Sequence, residues 1–266
     1  MQEENRRLID EALEFEPVKN TFRLAWEFIR LNKNFTLTAM SVFVVLNLFA
    51  MLPIISLIFS LFTAVFAIAI QMHVGRTLYT TKDIENYVDE VHTSRIDKIL
   101  TSYVKTAFGV YLGWMIVIVL FVLIFSILGV TTGVFKEGMN ESDVIRAFAG
   151  LGLPLTLVGL AFSYVQPLVH SNIVLANSLG EGFKAVFSFF TKDVWSSAMK
   201  KNYFVYMTKV GLLASLFLFL VGLMVVLFSM IPVIGGFSII LIFMGMYLFM
   251  VFMSIISMMA RRMIEE

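Results

Sequence analysis

The side chains with most chemical capacity lie in one stretch of this chain. It carries Ser163, Tyr164, Gln166, His170, Ser171 and Asn172, together with Pro154 and Pro167. Gln166 and His170 are four residues apart and share a helix face. The two prolines free backbone carbonyls within the stretch. Two readings follow. Ser163, Tyr164, Gln166, His170 and Asn172 line a polar cleft for a solute or a lipid headgroup. Alternatively, they lie near a helix end and hydrogen-bond to neighbouring helices. The stretch reaches Ala176, so His170 is under two turns from its end, which speaks for the second reading.

Other chemistry is thinly represented. His73, His92 and His170 are widely separated and no His-Glu-x-x-His occurs, so no zinc protease site is expected. There is no Gly-x-Ser-x-Gly elbow and no phosphate-binding glycine-rich loop. With no cysteine, the chain has no disulfide, thiolate nucleophile or cysteine metal site. The apolar runs described next hold no Asp, Glu, Lys or Arg at their core positions, whereas proton relays and aspartyl intramembrane proteolysis need such groups. The expectation is a chain that is not an enzyme, with no cofactor and no metal.

The elements that would position these residues follow from composition. Of 266 residues 59% are hydrophobic and 15% charged, with a mean hydropathy of +0.88. Soluble domains carry about 25% charged residues. The run from Asn34 to Gly75 lacks Asp, Glu, Lys and Arg, and as one straight helix it would be about 60 Å long. A bilayer core needs only about 20 residues, so the run must fold back, and Pro53 is the natural breaker. Helices are expected at 35–52 and 54–72, at 103–130 and 147–176, and at 203–230 and 237–260. Thr131 to Arg146, with Lys136, Glu137, Asn140, Glu141, Ser142 and Asp143, reads as a polar loop. Ile231-Pro232-Val233-Ile234-Gly235-Gly236 reads as a turn. The fold class is therefore all-α: a polytopic membrane protein with six transmembrane helices as three hairpins (35–72, 103–176 and 203–260) in a single membrane domain. The segments 1–34, 73–102 and 177–202 lie between and before them.

Lysine and arginine set the orientation. Eighteen of the 20 fall before the first hairpin, between hairpins or after the last span; only Lys136 and Arg146 fall on the other side. The positive-inside rule puts the 18, and both termini, in the cytoplasm. The first 16 residues are polar with six acidic side chains, which is not the pattern of a signal peptide. A net charge of +1 offers no field to draw nucleic acid.

Each hairpin is preceded by an amphipathic segment. In 18–31, Val18, Phe22, Ala25, Trp26 and Ile29 recur at three- and four-residue spacing beside Lys19, Arg23, Glu27 and Arg30. In 181–198 the pattern returns as Phe183, Val186, Phe187, Phe190 and Val194, with Lys184 and Lys192 outside it. The middle segment, 83–104, is more acidic and breaks near Thr93-Ser94. Such segments either lie on the inner leaflet, rings in the acyl boundary and cations at anionic headgroups, or extend the spans and pack on one another. Phe22, Arg23, Trp26, Arg30, Lys33, Phe183, Lys184, Phe187, Lys192 and Trp195 are the lipid-facing candidates. The first and third units also match locally: Phe22-Arg23-Leu24-Ala25-Trp26 against Phe183-Lys184-Ala185-Val186-Phe187, and Met51-Leu52-Pro53 against Met230-Ile231-Pro232. A parallel duplication or chance similarity of biased composition accounts for this. Asn47 and Gln71 are expected in interhelical hydrogen bonds, and Gly150, Gly152, Gly159 and Gly245 at close helix contacts.

Phe22 to Lys33 leading into one hairpin, and Gly180-Glu181-Gly182-Phe183-Lys184-Ala185 leading into another, resemble the layout of bacterial YciC-like proteins. The layout is also similar to the membrane domain attached to some glycerophosphodiester phosphodiesterases. The resemblance covers nearly the whole chain through loose motifs and carries no catalytic residue. It implies a bacterial inner-membrane protein. The expected partners are membrane lipids, chiefly anionic inner-leaflet headgroups, with a membrane-protein partner or a homo-oligomer left open. The expected function is non-enzymatic engagement of lipid or of a membrane partner in envelope homeostasis or assembly. An uncoupled transporter or channel for a small or amphipathic solute is the alternative.

Overall fold

The structure is a computed structural model that describes residues 7–131, 133–134, 138–143, 146, 152–231 and 237–265, without the side chains of 153–155. Lys136, Glu137, Gly150, the turn at 232–236 and the side chain of Pro154 lie outside the described residues. The described residues form α1 (Leu8–Glu14), α2 (Pro17–Leu31), α3 (Lys33–Ala50), α4 (Ser56–Thr80), α5 (Ile84–His92) and α6 (Ile96–Thr131). They continue with α7 (Gly152–Leu175), α8 (Leu179–Phe187), a 3₁₀ turn (Ser188–Phe190), α9 (Lys192–Ala198), α10 (Lys201–Ser229) and α11 (Ser238–Glu265).

Six of these helices are long and apolar enough to cross a membrane: α3, α4, α6, α7, α10 and α11. Their burial runs opposite to their hydropathy. The most apolar windows, in α6 and α10, are only 17% and 6% buried, whereas the least apolar, in α7, is 44% buried. In water the most apolar helix would be the most covered. The inversion means that lipid, not protein, covers α6 and α10. The chain is an all-α polytopic membrane protein.

The protein-packed core sits at one end, the end rich in Lys and Arg. In α11 every residue from Ser254 to Ala260 is buried, so this stretch is surrounded on all sides. It packs against α4 and α7, with α2, α3 and α10 around them. Helices run further into this basic end than the apolar runs alone predict. The α4 helix continues to Thr80 and α6 begins at Ile96, because buried contacts there replace lipid as the partner. Tyr203 and Tyr206 root α10 in the same core. The Tyr203 hydroxyl donates to the Tyr164 carbonyl at 2.6 Å. Thr21 spends its own proton on the Pro17 carbonyl (2.7 Å), so Tyr206 is the donor in their 2.9 Å bond. Above that root one face of α10 leans on α11, and the rest of it is largely exposed.

The three segments before the hairpins are helical, and the middle one breaks at Thr93–Arg95. Each packs chiefly on a hairpin other than the one it leads into. The α5 helix lies on α4 and α2; α8 lies on α6 and α7; α2 lies mainly on α11 and more lightly on α10. The contact of α8 with α6 is the most extensive among the described residues; α6 and α7 meet at Phe121 and Phe162, 5.1 Å apart. Small residues make the close approach: a Cβ on Gly109 would meet the Leu179 carbonyl oxygen at 2.1 Å, and one on Gly182 the Thr106 oxygen at 2.5 Å.

One side chain holds the first elbow. Asn32 lies between α2 and α3. Its Oδ1 accepts from the Phe35 N–H at 2.9 Å, the bond expected of an N-cap. Its amide, with two protons, lies within hydrogen-bond distance of the carbonyls of Val91, His92 and Ser94 at 3.0, 3.1 and 3.3 Å, around the end of α5.

Candidate functional site

The basic residues divide into those used within the fold and those left facing outward. At the foot of the bundle Arg76 closes the C-terminus of α7. Its Nε donates to the Val174 carbonyl at 2.7 Å, its Nη2 donates to the Ala176 carbonyl, and its guanidinium lies 5.2 Å from the Tyr103 ring centre. A cation at a helix C-terminus is favourable because the last carbonyls there are unpaired. Arg261 donates to Asn172 Oδ1 at 2.9 Å and pairs with Glu265 at 2.7 Å. Arg262 joins α11 to α1 through Asp10 at 2.5 Å. Burial pushes the Asp10 carboxyl up, but the Arg262 hydrogen bond, the Arg7 N–H and both guanidinium charges outweigh it. The net result lies below the usual carboxylate value. Arg7 lies over the Tyr79 ring at 5.0 Å.

The remaining cations include an exposed stripe on α2. Lys19, Arg23, Trp26 and Arg30 recur at three- and four-residue spacing and are all exposed, Trp26 at 59%, and Lys33, the first residue of α3 beyond the Asn32 elbow, is exposed as well. Lys19 is held by Glu16 at 2.7 Å. Arg23, Arg30 and Lys33 make no ion pair among the described residues. The opposite face, Thr21, Leu24, Ala25 and Phe28, is fully buried. The apolar stripe read from periodicity is thus rotated. Ala25 is buried, and Val18, Phe22 and Ile29 are half-buried, but Trp26 stands outward among the arginines. Tyr87 of α5 completes the buried side, its hydroxyl donating to the Leu24 carbonyl at 3.2 Å. Burial, then the charge of Glu27, push that phenol well above its ordinary value.

The second set of lipid-facing candidates is more enclosed. Lys184 and Lys192 are exposed, but Phe183, Phe187 and Trp195 are half-buried. The Phe183 and Phe187 rings lie 5.1 Å apart, and the Trp195 Nε1–H donates to the Phe189 carbonyl at 2.7 Å. These rings serve the packing of α8 and α9.

The polar residues of α7 are dispersed around it. Ser163 is exposed and Gln166 half-buried, while Tyr164 donates to the Ala198 carbonyl and stacks edge-on with Tyr203 at 5.3 Å. Asn172 bridges Ser188 (3.0 Å) and Arg261. His170 is buried with its Nε2 lacking a hydrogen-bond partner, as is the Tyr247 hydroxyl. These residues line none of the grooves at the foot of α10, between α10 and α11, beside His73 or beside α5. Asn47 bonds within its own helix, to the Phe43 carbonyl at 2.8 Å, rather than across helices. Nothing lies within 4 Å of a Cβ built on Gly152 or Gly159, and Gly245 meets only Val221 at 3.4 Å. The close contact is at Gly109 and Gly113, whose Gly-x-x-x-Gly spacing was its available signal.

His73 was named in the sequence only as one isolated histidine. It is boxed by Phe28, Phe35 and Tyr103 at about 6 Å and bonds Ser94 at 2.7 Å. Ser94 gives its one proton to the Glu90 carbonyl (3.1 Å), so the His73 Nε2–H is the donor. A histidine that donates to the serine does not act as its base. The pair ties α4 to the α5–α6 break. Among the described residues no three His, Asp or Glu side chains come together as a metal site.

The largest of these grooves lies at the foot of α10, with a volume of about 730 Å³. Its walls come from Leu13 to Phe22 at the α1–α2 junction, from α10 between Lys201 and Leu213, and from Met263. Phe22 closes its inner side by packing on Phe252 at 5.4 Å, and Phe252 in turn meets Phe217 at 6.4 Å. No family model, no curated protein and no solved structure matches this chain.

Proposed function

We propose that this is a non-enzymatic integral protein of the bacterial inner membrane, with both termini in the cytoplasm. It engages anionic inner-leaflet lipid through the outward face of α2, in a role in envelope homeostasis or assembly. The observation that carries this is the α2 stripe: Lys19, Arg23, Trp26 and Arg30 on one exposed face of a helix whose other face is packed, with exposed Lys33 following as the first residue of α3. Arg23 and Arg30 of the stripe, and Lys33 just beyond the elbow, have no acidic partner among the described residues, so their charge is available to phosphate. An indole between two guanidinium groups suits the boundary where acyl chains meet headgroups. Each cation at an anionic surface contributes about 1 kcal/mol. The basic end carries 18 of the 20 Lys and Arg, which supports the cytoplasmic assignment. The YciC-like layout agrees with it.

The test uses the full chain in vesicles of phosphatidylglycerol and phosphatidylcholine, with Trp114→Phe and Trp195→Phe leaving Trp26 as the only indole. Brominated acyl chains are expected to quench Trp26, more strongly with anionic lipid, and Arg23→Gln with Arg30→Gln to weaken that dependence. Emission that is water-like and open to iodide would sink the reading. Reporters after Glu266 and at Asn140 are expected to read cytoplasmic and external; the reverse would overturn the orientation.

A further inference from the structure

We infer that the groove at the foot of α10 is a specific site for one anionic phospholipid, its phosphate held by Lys201 and Lys209. This deepens the reading of α2 as a lipid-facing helix, and rests on it for which end of the molecule faces the anionic leaflet.

Charge complementarity comes first. Three lysines, Lys19, Lys201 and Lys209, and one acid, Glu16, line the groove. Glu16 is taken up by Lys19 at 2.7 Å. Lys201 and Lys209 are exposed and make no ion pair among the described residues. The groove therefore has an excess of positive charge.

The position of Lys209 is the second argument. It stands two turns inside α10, about 12 Å along the axis from Lys201, and is the one charged residue between Asn202 and Ser229. Elsewhere in the spans, a charge this far from a helix end would be costly unless it met a counter-ion. Among the described residues no acid pairs with Lys209, and the counter-ion assigned to it is an anion from outside the chain.

The third argument is what continues from the lysine. Lys209, Leu213, Leu216, Leu220, Leu223 and Leu227 recur at four- and three-residue steps and so lie on one face. The five leucines are all exposed, between 43% and 55%. A cation at the groove and a lipid-facing row of leucines leading away from it match a phosphate joined to an acyl chain. Free phosphate would use the lysines alone.

The full chain, reconstituted with equal phosphatidylglycerol and phosphatidylcholine and then extracted in mild detergent, should keep phosphatidylglycerol, as read by native mass spectrometry. Lys201→Gln with Lys209→Gln is expected to lower that retention about thirtyfold, two lysines at an anionic headgroup being lost. Both side chains are exposed, so the thermal unfolding of the variant should match the parent. Inorganic phosphate is not expected to displace the lipid, and displacement by phosphate alone would overturn the lipid assignment. Equal retention of phosphatidylcholine, or unchanged retention in the lysine variant, would overturn the site. Loss of retention on Arg23→Gln with Arg30→Gln but not in the lysine variant would also overturn it, while upholding α2 as the lipid-facing helix. Retention that depends on the lysines in a protein whose Trp26 is unquenched would support the site and refute the α2 reading.

Discussion

Gly109→Ala should destabilise this protein more than its size suggests. An ideal Cβ at Gly109 lies 2.1 Å from the Leu179 carbonyl oxygen and 2.8 Å from its carbon, and both are backbone atoms that no rotamer change can move. To reach an ordinary contact of 3.4 Å, the first turn of α8 must retreat by about 1.3 Å. That retreat loosens the neighbouring close approaches at Gly113 and Gly182, where a Cβ would lie 2.9 Å from the Phe183 oxygen and 2.5 Å from the Thr106 oxygen. Overpacking of this kind costs about 3 kcal/mol, at the upper end of the usual range, because the strain falls on two backbones. For a chain of this size that lowers the melting temperature by roughly 6–12 °C. Gly222→Ala is the control: it too is helical, nothing lies within 4 Å of its Cβ, and alanine's better helix propensity adds up to about 1 kcal/mol. Trp114 and Trp195 flank the α6–α8 contact in sequence, so intrinsic fluorescence in a single detergent can follow the unfolding. A Gly109→Ala protein that melts no lower than Gly222→Ala would refute the claim that close backbone approach holds α8 on α6.

Asn32→Ala removes an N-cap and an amide within hydrogen-bond distance of three carbonyls, so a loss of about 2 kcal/mol is expected, with faster amide exchange in α5 and the first turn of α3 as the readout. The Asp10–Arg262 bond should make the docking of α1 pH-dependent. Because Asp10 is held below its ordinary value in the folded protein, its contribution is fully present above the unfolded value of about 3.9. It is lost as pH falls through the lowered folded value. Protection of the α1 amides, taken relative to their intrinsic exchange at each pH, should therefore fall on acidification from pH ~5 towards ~3 in the parent and be low throughout in Asp10→Asn, and the same pH profile in that variant as in the parent would count against the bond. His170→Leu should be neutral or stabilising in thermal unfolding, since it removes a buried nitrogen that has no partner. A large loss would mean that His170 Nε2 has a partner.

Runs of apolar residues longer than any soluble helix needs, interrupted at Pro53 and by the polar stretch from Thr131 to Arg146, determined by themselves that the chain crosses a membrane six times. Hydropathy carries this information because lipid rewards it residue by residue, whatever the tertiary arrangement. The break at Thr93-Ser94 was legible for the same local reason. What lies against what was not. Helical periodicity marked an apolar stripe on α2 but not its phase, because Trp26 and Ala25 are adjacent and either can face inward; the contacts of Leu24 and Phe28 decided it. Nor could periodicity say that Phe183, Phe187 and Trp195 would be drawn into packing while Arg23 and Arg30 stayed free. That depends on Gly109, Gly113 and Gly182 letting two backbones meet between residues far apart in the chain. The polar residues of α7 read as one cluster because they are near in sequence, yet they separate once placed around a helix whose sides meet α4, α8, α9 and α11. The groove at the foot of α10 is the clearest case. Lys19 and Lys209 are 190 residues apart, and only the docking of α2 beside α10 and α11 puts them on one cavity.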